Sequence, residues 1–128
     1  MPYQYARDDT ARRIRITLTD PLTLAERIAA VEQQVADHAW RYGTLVDARE
    51  LAVYKPTPTE MRAVVARVAE FVAEYGPRGP VAIVSNRPTV ISAGQMYNHF
   101  GGKRNVVEVF WDLDEARRFL DQQAANNP

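Results

Sequence analysis

With 128 residues, 46% hydrophobic and 25% charged, the chain is long enough to bury one core and too short to call for a second domain. Sixteen basic residues balance sixteen acidic ones, which excludes the broad positive field of a general nucleic-acid or anionic-membrane binder. Cysteine is absent, so disulfides, thiolate nucleophiles and thiolate metal sites are excluded as well.

Residues 13–18, Arg13-Ile14-Arg15-Ile16-Thr17-Leu18, alternate strictly and place Ile14, Ile16 and Leu18 on one face, which predicts a half-exposed strand. Tyr3 and Tyr5, in an arm over residues 2–7, offer a partner strand, with Asp8-Asp9-Thr10 as a hairpin turn that lacks the usual glycine. Thr23-Leu24-Ala25-Glu26 has capping-box spacing, and Leu24, Ile28, Val31 and Val35 follow at helical intervals, so an amphipathic helix is expected to about His38. After Trp40-Arg41-Tyr42-Gly43, the run Thr44-Leu45-Val46-Asp47 predicts a central strand covered on both faces.

A second capping box, Thr57-Pro58-Thr59-Glu60, opens a helix whose apolar stripe includes Met61, Val64, Val68, Phe71 and Tyr75. Gly76-Pro77 ends it with a left-handed cap and a residue that cannot continue a helix. Pro80 to Val84 is the next buried strand, and Pro88 starts a third helix that ends at Gly101-Gly102. Val106 to Phe110 is a further strand, and Asp112-Leu113-Asp114-Glu115 caps a closing helix with Ala116, Phe119 and Leu120 inward. The expected fold is a single α/β domain over residues 1–128, with a mixed, mostly parallel sheet of four to five strands and about four helices. Its core spans about residues 12–121, and a frayed tail covers 122–128.

In an open sheet of this kind ligands bind beyond the carboxyl ends of the strands, which singles out Asp47, Arg49, Ser85, Asn86 and Arg87, with Trp111-Asp112 at the last strand. An Asp ending one strand and a Ser ending the next evokes aspartyl-phosphate chemistry, but the acidic pair, the lysine and the Asp-x-Asp that such enzymes need are missing. Ser85-Asn86-Arg87-Pro88 joins a strand to a helix start, where free amides can hold an anion or simply be capped. His99, Lys103 and Arg104 form a small basic segment read as a solvated connector, so nucleic-acid binding is not expected. His38 and His99 lack carboxylates at ligand spacing, so neither a metal nor another cofactor is expected. No apolar run approaches the roughly 18 residues of a membrane span, and Met1-Pro2-Tyr3 begins no apolar signal core, which together suit a cytoplasmic address.

The ordering of elements, with Asp20-Pro21-Leu22-Thr23-Leu24-Ala25, Leu45-Val46-Asp47-Ala48-Arg49 and Gly79-Pro80-Val81-Ala82-Ile83-Val84, resembles the bacterial SpoIIAA-like, or STAS-like, proteins over about residues 12–121. That resemblance implies a four-helix layer beside the sheet and a role in protein–protein regulation without catalysis, some relatives binding nucleotides or lipids. In anti-sigma factor antagonists a serine in an Asp-Ser-Ser-Gly-like segment opens the helix after a central strand, and its phosphorylation switches partner binding. Here the corresponding stretch, Asp47 to Glu60, lacks that segment and offers only Thr57 and Thr59, of which Thr57 is already a helix cap.

The leading expectation is therefore a non-enzymatic regulatory or interaction domain that meets a protein partner through the loop from Arg49 to Thr59, where Tyr54 and Lys55 place an aromatic and a cation. The alternative is a sensor for a small anionic or lipid-like ligand held near Arg49, Ser85 and Arg87. A homodimer formed through the exposed first strand is the third option.

Overall fold

A computed structural model of the chain describes residues 3–101 and 106–126. Gly102, Lys103 and Arg104 of the expected basic connector, and the last two residues of the tail, lie outside the described residues. The elements run β1 (Tyr3–Asp8), β2 (Arg13–Thr19), α1 (Leu24–Ala36), β3 (Gly43–Glu50), α2 (Pro58–Tyr75), β4 (Val81–Val84), α3 (Pro88–Gly101), β5 (Val107–Phe110) and α4 (Leu113–Asn126). They form one five-stranded sheet in the order β1-β2-β3-β4-β5, with β1 antiparallel to β2 and every other neighbour parallel. The expected α/β fold with a mixed, mostly parallel sheet is the one observed.

Strand alternation divides the core in two. Ile14, Ile16, Val46, Val81 and Val107 pack with Val31 of α1, Val64 and Val68 of α2, and Val90 and Ala93 of α3. The intervening strand residues Leu45, Ala82 and Val84 pack instead with Ala116 and Leu120 of α4, flanked by Phe110 and Phe119. Because successive strand residues face opposite sides, α1, α2 and α3 cover one face and α4 covers the other. The four-helix layer implied by the resemblance is thus replaced by three helices against one. An inward stripe of Leu113, Ala116 and Leu120 is enough to carry α4 to the side that α1–α3 leave open.

Local chemistry accounts for most of the boundaries. Both capping boxes form: Thr23 Oγ1 accepts from Glu26 N at 3.2 Å, and Thr57 Oγ1 accepts from Glu60 N at 3.1 Å. Gly76 has φ 89 and ends α2, its N–H donating to the carbonyl of Val72. A Cβ on Gly79 would lie 2.3 Å from the Tyr42 carbonyl oxygen, so only glycine lets the link before β4 pass the link before β3. Trp40 locks the same region, donating Nε1–H to the Gly76 carbonyl at 2.9 Å and meeting Phe71 edge-on.

Three elements differ from expectation. Helix α1 stops at Ala36, where the N–H of His38 bonds to Val35 O and that of Ala39 to Gln34 O. This is a Schellman closure with His38, φ 58, in the left-handed position usually held by glycine. Strand β3 runs to Glu50, because β2 continues alongside it and pairs Thr19 with Glu50. Helix α4 continues to Asn126, as nothing between Gln122 and Ala125 breaks a helix. Among the described residues no helix is long and apolar enough to cross a membrane.

Candidate binding site at the carboxyl edge of the sheet

The residues singled out at the strand ends fall into three separate settings. Asp47, on the α4 side of β3, is 6% exposed and is clamped by two arginines. Arg49 donates Nε–H and Nη2–H to its two oxygens at 2.9 and 2.7 Å, and Arg15 of β2 donates at 3.2 Å. The Arg49 guanidinium, helped by its own N–H and by Arg15, holds the Asp47 carboxyl below the usual carboxylate range, although burial alone would raise it. An anion so saturated is a poor nucleophile or base, and its role is to tie β2 to β3.

Ser85, Asn86 and Arg87 form the turn into α3. Ser85 is wholly buried, and its Oγ accepts from Arg87 N at 3.1 Å while its own N–H donates to Phe110 O at 2.9 Å. The Arg87 carbonyl receives Val90 N and Ile91 N, so the turn caps the helix from within. Asn86 and Arg87 point outward as exposed residues.

The loop from Leu51 to Thr57 holds the third group. Its amides are anchored across the strand ends by Asp20, whose carboxylate accepts from Ala52 N at 2.7 Å and from Val53 N at 3.3 Å. This pins the β3–α2 loop to the β2–α1 loop and leaves a groove of about 370 Å³ between them. Pro21, Leu22 and Leu24 form one wall, and Val53, Tyr54 and Pro56 the other. Lys55 and Thr59 are exposed, and Thr57 is committed to its cap.

Tyr54, expected at the surface, is half-buried against the core, and burial raises its hydroxyl above the ordinary tyrosine range. It is Val53, at 73% exposure, that stands out into solvent. Tyr54 is also a wall of a second, interior cavity of about 40 Å³ between the sheet and α1–α3, which Arg27 and Arg78 line. Arg27 and Arg78 carried no sequence signal, since each reads alone as an ordinary surface charge, and Asp20 stood only within the segment of resemblance, with no sign that it binds the β3–α2 loop. At the opposite end of the sheet, Arg12, Arg13 and Arg41 line a broader cleft of about 810 Å³.

Among the described residues no group of histidine and carboxylate side chains is arranged to hold a metal ion. No family model and no curated protein sequence matches this chain.

Proposed function

We propose that the protein is a non-enzymatic regulatory module of the SpoIIAA-like or STAS-like kind that recognises a protein partner at the groove between the β2–α1 and β3–α2 loops. One observation carries this reading: Val53 is 73% exposed at the rim of a groove walled by Pro21, Leu22, Leu24 and Pro56. A large aliphatic side chain held in solvent by a pinned loop beside an apolar furrow has the character of a recognition surface. Lys55 and Glu60 at the same groove supply charges that would orient a partner segment. The absence of catalysis is supported by the commitments of the three groups most suited to it. Asp47 is held by two arginines, Ser85 by its turn and Thr57 by its cap.

The test uses the double variant Val53→Asp, Lys55→Glu, because both positions are exposed and neither belongs to the core. Unfolding stability should stay within about 0.5 kcal/mol of the parent. Affinity for a partner captured by the parent protein should fall at least tenfold, measured by titration calorimetry after that partner is identified. Undiminished binding would remove the groove as the recognition surface. Tyr54→Ala is a poorer probe, since that ring packs on the core and its loss would mix folding with binding.

A further inference from the structure

Arg78, in the link between α2 and β4, is 8% exposed, yet the partners its guanidinium bonds to are neutral. Nε and Nη2 donate to Gln34 Oε1 at 3.2 and 2.8 Å, the Trp40 ring lies beneath at 5.1 Å, and Tyr97 supplies a further hydrogen bond. Gln34 is itself fully buried and spends its amide nitrogen on the Ala39 carbonyl at 2.9 Å. These partners satisfy N–H donors without neutralising the charge.

A second guanidinium faces the same space. Arg27 of α1 lines the 40 Å³ cavity together with Arg78 and is hydrogen-bonded to the Tyr54 hydroxyl. Among the described residues neither arginine enters an ion pair. Burial first, with the repulsion of Arg27 added, brings Arg78 down to about 10, which leaves it charged at neutral pH. Two cations thus border one space whose other walls are the tyrosines Tyr54 and Tyr97 and apolar side chains that include Val46, Val90 and Ala93. A buried charge without a counter-charge is costly, and an anion placed between the two would offset that cost at Arg78 while Arg27, only partly buried, supplies a second positive charge.

We propose that this cavity is an internal site for a short-chain monocarboxylate, its two oxygens accepting from Arg27 and Arg78 and its carbon chain lying on Ala93 and Val90. The volume of about 40 Å³ corresponds to roughly three water-sized groups, which suits acetate or propionate better than a long acyl chain. Arg78 keeps N–H donors beyond the Nε/Nη2 pair spent on Gln34, which can meet a carboxylate oxygen, and the apolar walls favour an anion carrying carbon over a fully hydrated inorganic one. The site lies behind Tyr54 and does not rest on the partner groove.

The experiment titrates sodium acetate, propionate and octanoate into the full chain against sodium chloride at equal ionic strength, following thermal unfolding and methyl NMR. Acetate or propionate should raise the melting temperature saturably beyond chloride and give contacts between its methyl protons and Ala93. Arg27→Gln should weaken that binding at least tenfold, and Arg27→Lys, which keeps the charge, should weaken it less. No saturable effect beyond chloride would overturn the site, as would equal affinity in the parent and Arg27→Gln. Octanoate binding tighter than propionate would overturn the size assignment. The Val53→Asp, Lys55→Glu variant should bind the carboxylate like the parent, so failure of the groove and failure of the cavity are told apart.

Discussion

Asp47 shows how a residue placed where chemistry is expected can be wholly occupied by structure. Its carboxylate is buried and shared between Arg49 and Arg15, whose side chains are 50% and 41% exposed and so keep much of their hydration. Charge-assisted hydrogen bonds of this kind, discounted for half-exposed cations, contribute about 1–2 kcal/mol. Asp47→Asn should therefore destabilise the fold by about that amount at pH 7. Its folded-state pKa is lowered below the ordinary 3.8, so the contribution is complete above that value and is lost as pH falls through the depressed one. Urea unfolding of the parent and Asp47→Asn should accordingly converge at low pH, and a gap that stays constant from pH 7 downward would show that the ion pairs are not its source. The sequence placed Asp47 and Arg49 together at the end of a strand but gave no sign of Arg15, which reaches Asp47 only through the pairing of β2 with β3.

At the scale of elements, what could be read from sequence is what depends on neighbours within one turn. The two capping boxes are complete within four residues each, and Gly76-Pro77 stops α2 by backbone constraints of its own. The end of α1 was harder to read because its left-handed position holds a histidine. His38→Gly should relieve that conformation and, after the greater entropy of glycine in the unfolded chain is subtracted, stabilise the protein by about 0.5–1 kcal/mol. Thermal unfolding of the variant checks this, and a lower melting temperature would mean that the exposed imidazole does more than occupy a cap. The length of β3 was equally hidden: Ala48-Arg49-Glu50 has the composition of a loop and is held extended by the strand beside it.

For the whole molecule, the division of helices three to one makes the sheet the shared wall of two cores. Strands β3 and β4 give alternate residues to each, so neither helical layer can detach without exposing strands that the other layer needs. Unfolding should therefore be a single transition. Trp40, buried within the larger core, and Trp111, 73% exposed just before α4, allow the check. With Trp111→Phe leaving Trp40 as the reporter, fluorescence and far-ultraviolet circular dichroism should share one urea midpoint, whereas an earlier loss of dichroism would show α4 melting alone.

The sequence by itself determined the order of strands and helices, the alternation of β2 and both capped helix starts, since these follow from periodicity and from bonds between near neighbours. Only the tertiary structure decided that α4 takes the opposite face, that Asp20 pins the loop carrying Val53, and that Arg27 and Arg78 border one cavity. Each of those depends on segments far apart in the chain being brought together by strand order, and a charge has no periodicity that announces which other charge it will meet.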